Sequence, residues 1–189
     1  MGNNKINSHR ISLIDQQNVL EDKKAKSLSF FCKNSQVLIN DVIINELKEV
    51  SRLHNNANCR VCLHNSPESL HHDMIILETK DSYLRPHKHI YSSGETFHVI
   101  EGEMGVFTFD DKGNVSDSPL LQKGDVYRVP KKVYHALFPI SEYVIYHENK
   151  VGPFLGQKDN IYADWSPEKD DLDGVKIYKK NHLEILNRH

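Results

Sequence analysis

From about residue 59 to residue 150 the chain breaks into short apolar or alternating segments, each closed by turn-forming residues, and no other feature narrows the choice of fold so far. Eight segments read as strands, at 60–63, 74–78, 84–89, 95–101, 105–110, 125–129, 133–138 and 143–148. Between them stand Glu101-Gly102-Glu103, the run 110–114, Gly124-Asp125 and Pro130-Lys131-Lys132. Glycine and asparagine accept positive φ and proline presets its own, so these are hairpin and turn signals. Eight strands in series with no helix between them predict an all-β barrel closed on itself.

Ahead of the strands, Ile43, Leu47 and Val50 recur at i, i+4 and i+7 behind Asn40 and Asp41, either of which can cap a helix over 40–53. Residues 1–38 show no sustained period and read as a poorly defined N-terminal extension. Beyond Val151 the pattern fades into an isolated Trp165 before Ser166-Pro167. A charged C-terminal tail over 169–189 has room for one short helix. A chain of 189 residues fits one domain, placed at 39–168 with its barrel at about 59–150.

A formal charge of -2 gives no electrostatic reason to bind nucleic acid. No apolar run reaches the roughly 18 residues that span a bilayer, and the first residues lack the apolar stretch of a signal peptide. A cytoplasmic protein with a small-molecule partner is therefore expected. The three cysteines, Cys32, Cys59 and Cys62, are odd in number and read as reduced thiols.

Histidine is unusually frequent, with 12 copies. His87 and His89 stand two apart in one expected strand, so alternation turns both imidazoles to one face. Glu95 opens the next strand, and His135 arrives from a distant one. Two histidines, a carboxylate and a third histidine make a metal site with open positions, accepting Fe, Mn, Zn, Ni or Co.

The run Pro86-His87-Lys88-His89, Glu95, Gly102 resembles the first cupin motif, and Gly124, Pro130, His135 the second. More closely, about two-thirds of the chain resembles the WbuC-type cupin fold metalloproteins, a bacterial family found among genes for O-antigen and other surface polysaccharides. The matching stretches are Arg60 with Leu63-His64, Arg85-Pro86-His87-Lys88-His89, residues 95–103, residues 109–113, Pro130 with His135, Glu148 with Lys150, Gly152-Pro153-Phe154 and Trp165-Ser166-Pro167. The resemblance implies a single cupin (double-stranded β-helix, or jelly-roll) barrel with an N-terminal helical segment, and one divalent metal ion. The sequence departs from the cupin pattern in three places. Five residues separate His89 from Glu95, Lys132 replaces the usual glycine after Pro130, and no asparagine follows His135 at the usual place.

Other residues carry two readings each. Arg85 shares strand parity with His87 and His89 and can project into the barrel mouth toward a substrate carboxylate or phosphate, or lie on the surface. Glu148 and Lys150 are an acid/base pair at the opening or a surface ion pair. Tyr91 and Lys132 lie in loops flanking the mouth, as substrate contacts. His98 belongs on the exterior. Cys59 and Cys62 form a lone C-x-x-C in an expected strand, read as structural, with His71-His72 in a polar loop.

Three functions fit these residues. The first is a metal-dependent isomerase or epimerase of a sugar or sugar acid, with Glu148, Arg85 and Lys150 as catalytic candidates. The second is an iron-dependent oxygenase. The third is a non-catalytic cupin that binds a metal or small ligand as a sensor or accessory protein. A homodimer is expected by analogy with cupins.

Overall fold

The computed structural model describes residues 9–90, 94–158 and 160–186. In chain order the elements are β1 (Val19–Glu21), β2 (Leu28–Cys32), α1 (Asp41–Leu53), β3 (Cys59–Cys62), β4 (His71–Thr79), β5 (His87–His89) and β6 (Gly94–Glu101). They continue with β7 (Met104–Phe109), β8 (Val115–Asp117), β9 (Leu120–Leu121), β10 (Val126–Pro130), β11 (Tyr134–Pro139), β12 (Tyr143–Val151), β13 (Asn160–Tyr162) and α2 (Leu172–Leu186).

The strands form two sheets, a seven-stranded one in the order β1-β2-β3-β4-β12-β6-β10 and a six-stranded one in the order β13-β5-β11-β7-β8. From β5 onward the chain alternates between them: β5 in the smaller sheet, β6 in the larger, then β7, β10, β11, β12 and β13 in turn. That winding is the double-stranded β-helix of a cupin, and each of the eight expected strands overlaps one of its strands. Phe97, Val99, Met104, Val106, Leu137, Val144 and Tyr146 fill the space between the sheets.

Both outer faces are covered by helices. Asn40 caps α1, its side-chain oxygen accepting from the Val42 and Ile43 amides at 3.2 and 3.4 Å. Ile43, Ile44, Leu47 and Val50 then pack on Val61, Ile75, Leu77 and Ile145, the outward residues of the larger sheet. Each such side chain, fully buried, stabilises the fold by about 1.5–3 kcal/mol. Helix α2 covers the aromatic outer face of the smaller sheet, where Phe107, Phe109 and Phe138 meet Tyr178, Leu183, Ile185 and Leu186. Gly105 lets its end sit close, since a Cβ there would come within 2.5 Å of Leu186 Cδ1.

Three features differ from the sequence reading. The N-terminal segment supplies β1 and β2, and β2 runs parallel to β3. Its Phe30 joins the outer core and Phe31 the barrel core, so it is apolar on both sides and shows no alternation. The expected strand at 84–89 shortens to β5, because Pro86 has no amide hydrogen to continue the ladder. His71 and His72 begin β4 instead of lying in a loop, and His72 is buried against His64, the rings stacked at 4.3 Å.

The three cysteines are free and buried. Cys59 faces the outer core and Cys62 the barrel core, on opposite sides of β3, so the pair cannot share a ligand. Burial pushes both thiols up to about 12.

Candidate metal centre

Strand β5 is only three residues long, yet it sets two imidazoles on the inner face, with Lys88 turned out to Asp111 at 2.7 Å. His135 on β11 is the register partner of His87, so its ring lies beside them, the His87 and His135 centroids 4.5 Å apart. Glu95 comes from the opposite sheet, on the face of β6 that also carries Phe97 and Val99. Gly94 makes this register attainable. It adopts φ +111°, and a Cβ there would press into the Val129 carbonyl oxygen across the β6–β10 pairing.

The ligand atoms of His87, His89, Glu95 and His135 all lie within 4.8 Å of one another, and the four residues are at most 4% exposed. Glu95 bridges two rings, with Oε1 2.8 Å from His89 Nε2 and Oε2 3.1 Å from His135 Nε2. The outer ring nitrogens decide what faces inward. His87 Nδ1 is 3.1 Å from the Arg85 carbonyl and His135 Nδ1 is 3.1 Å from the Val133 carbonyl. A carbonyl only accepts, so each Nδ1 carries the hydrogen, and a neutral ring then turns its Nε2 lone pair to the centre. Burial above all holds His87 well below the usual imidazole range, which keeps that ring neutral.

Two inward lone pairs and a carboxylate therefore converge in a dry space. Such a set of acceptors is stable around a cation, and carbonyl-oriented imidazoles are the usual arrangement around a metal. Three nitrogens and one carboxylate suit a borderline divalent ion such as Fe, Mn, Zn, Ni or Co.

Charge around Glu95 is balanced by β12, whose inward residues pass from Val144 and Tyr146 to Glu148 and Lys150. Lys150 Nζ donates to Glu95 Oε1 at 3.0 Å and lies 3.6 Å from Glu148 Oε1. Burial alone would raise the Glu95 pKa, but the Lys150 charge and the close His135 and His89 rings outweigh it, leaving the group well below the usual range. Glu148 moves the other way, raised by burial and by the neighbouring Glu95 charge. The pair is thus an interior feature beside the histidines, not a surface ion pair.

The substrate candidates fare differently. Arg85 does not reach the barrel mouth. Its guanidinium donates to the Ala163 carbonyl at 2.6 Å and to Ser166 Oγ at 3.0 Å, and pairs with Glu168. It lies just outside β5, where strand parity no longer governs direction, and it clamps the segment after β13. Lys132 is exposed in the turn before β11 at φ +66°, and its amide donates to the His89 carbonyl at 2.9 Å. Tyr91 lies outside the described residues. His98 is exposed on the outer face of β6, opposite His147.

Sequence reasoning missed β13, which lies along β5 with Asn160 opposite His89 and Tyr162 opposite His87. Directly opposed residues of an antiparallel pair share a face, so Asn160 and Tyr162 extend the wall that carries the two histidines. A three-residue strand after a cis Gly152-Pro153 bond and a 3-10 turn leaves no periodic signal to find.

Fold and site together define a cupin with a buried three-histidine, one-glutamate group able to hold a metal ion. Residues 39–121 match a family model described as a domain of unknown function, DUF6016. No curated protein matches the sequence. Among solved structures, procruciferin, an 11S globulin of Brassica napus, is 15% identical over 44% of this chain with a TM-score of 0.39. A mutant of Bacillus subtilis oxalate decarboxylase OxdC is 15% identical over 56% of this chain at 0.45. An RmlC-like cupin family protein of Methanocaldococcus jannaschii is 19% identical over 44% of this chain at 0.38. The matches span 21% of the procruciferin chain, 28% of the decarboxylase and 72% of the archaeal protein. Among the described residues no helix is long and apolar enough to cross a membrane.

Proposed function

We propose that this chain is a metal-dependent enzyme that holds one divalent ion through His87, His89, Glu95 and His135 and acts on a small sugar-derived acid or sugar, by an isomerase- or epimerase-type proton transfer. The observation that carries the reading is the convergence of carbonyl-oriented imidazoles on a buried carboxylate, with Glu148 and Lys150 on the same inner surface. A divalent ion there supplies Lewis acidity toward a carbonyl or diol oxygen. Lys150 holds the Glu95 carboxylate in position, and Glu148 is the carboxyl group placed to take and return a proton. The sugar chemistry and a setting in bacterial surface polysaccharide synthesis are supported by the resemblance to WbuC-type proteins.

Elemental analysis of purified wild-type protein beside a His87→Ala, His135→Ala double variant tests the metal. About one ion per chain is expected in the first and almost none in the second. Wild-type protein that stays metal-free after reconstitution ends the reading. The chemistry is tested by NMR of sugar acids incubated in deuterated water. Solvent deuterium enters the substrate with the wild type and not with Glu148→Gln.

A further inference from the structure

We infer that Asn160 is a ligand-positioning residue of this centre, its side-chain oxygen accepting a hydrogen bond from a hydroxyl of the bound molecule next to the group that meets the metal. The inference rests on the proposed metal site and narrows its ligand to an α-hydroxy acid or comparable polyol.

Two observations point there. Asn160 pairs in register with His89, so its side chain stands on the face that carries the imidazoles, one strand farther out. Its Oδ1 is buried and has no hydrogen-bond partner among the described residues. An acceptor left this way costs stability, and native chains rarely carry one where an apolar residue of similar size would fit. The strand cannot shift to find a donor. Ala163 N–H donates to the Pro86 carbonyl at 2.9 Å, and Arg85 holds the Ala163 carbonyl at 2.6 Å and Ser166 at 3.0 Å. The clamp that removes Arg85 from the mouth thereby fixes Asn160 beside His89.

The missing donor cannot be a carboxylate or a carbonyl, which only accept. An O–H or N–H of the bound molecule supplies it. With a divalent ion bound, the Lys150 ammonium already neutralising Glu95 on the opposite wall would leave the centre net positive, which suits an anionic group. A molecule with a carboxylate and a neighbouring hydroxyl meets both walls across the metal position.

Glycolate and acetate are the probes, since they differ in that hydroxyl. Each is titrated into cobalt(II)-loaded wild-type protein and Asn160→Leu, following the visible absorption bands of the metal. Loss of one hydrogen bond should weaken glycolate binding about tenfold in the variant. Acetate affinity should change by less than about twofold, because acetate never used the contact. Cobalt content should be unchanged, and the melting temperature equal or higher, because an unpartnered buried acceptor has been removed. A lower melting temperature or lost cobalt would make Asn160 structural and overturn the inference. It is equally overturned if both acids weaken together, if neither weakens, or if neither binds the loaded wild type, while the measured cobalt leaves the metal site standing. Wild-type protein that takes up no cobalt overturns the metal site and this inference with it.

Discussion

Lys150 reaches from β12 to place its ammonium 3.0 Å from Glu95 Oε1, so the carboxylate that closes the metal site is already neutralised by a cation of the chain. The two residues are register partners on adjacent strands, and their side chains are 14% and 4% exposed. Glu95 would hold a divalent ion while still paired with Lys150, and Glu148 takes up part of the ammonium charge at 3.6 Å.

Replacing Lys150 with methionine should therefore act differently on the two forms. Without metal, Glu95 and Glu148 are left buried and uncompensated, and stability should fall by about 3 kcal/mol. Added metal should supply the missing positive charge and restore most of the loss. Thermal unfolding with and without zinc should show a larger metal-induced rise in Tm for Lys150→Met than for the wild type. An equal rise in both would mean that Lys150 does not neutralise Glu95.

Lys132 occupies backbone space that suits glycine. Its φ of +66° brings a Cβ too near its own carbonyl, a cost of about 1 kcal/mol. Lys132→Gly should raise stability by roughly that amount, because the amide still donates to His89. Denaturant unfolding measures it. A decrease would show that the lysine side chain, exposed at the mouth, contributes more than its backbone costs.

How much of this was legible in the sequence depends on how each segment is buried. Strands with one wet face, such as β6, alternate visibly, and the spacing of His87, His89, Glu95 and His135 follows from that alternation. Strand β2 is covered on both sides and helix α2 on one side only by half-buried residues, so neither prints a clear period. Asn160 escaped notice for another reason: a single amide side chain in a three-residue strand has meaning only once β13 is seen against β5. Arg85 misled because parity was carried through Pro86, where the ladder ends.

His64 provides a stability signal on the acid side. Its ring stacks on His72 at 4.3 Å and meets Phe31 edge-on at 5.4 Å. Burial, then the nearby His72 charge, pushes its pKa down to about 4 from 6.5. Above pH 6.5 the ring is neutral in both folded and unfolded chains and contributes no pH dependence. As pH falls from about 6.5 to about 4 the unfolded chain takes up the proton first, so stability declines across that window. The variant His64→Phe keeps the ring contacts and should lose less stability than the wild type between those two values. Parallel slopes in denaturant titrations at pH 6.5 and 4.5 would refute the assignment.

The alternation of β11 predicts that the metal centre and helix α2 are separable. His135 and Leu137 point into the barrel, while Ala136 and Phe138 point out beneath α2. A chain ending at Asp171 would uncover Phe107, Phe109 and Phe138, and each half-buried apolar side chain lost from α2 removes roughly 1 kcal/mol. The truncated protein should melt lower and bind a hydrophobic dye, since Tyr83, Val115, Tyr134 and Trp165 would be left to cover only part of the aromatic face. Its metal content should nevertheless match the full chain, because His87, His89, Glu95 and His135 lie on the other side of the sheet. Loss of metal together with the helix, in protein that still shows the β-sheet spectrum, would mean that the outer aromatic layer holds β11 in register and that the two faces are coupled.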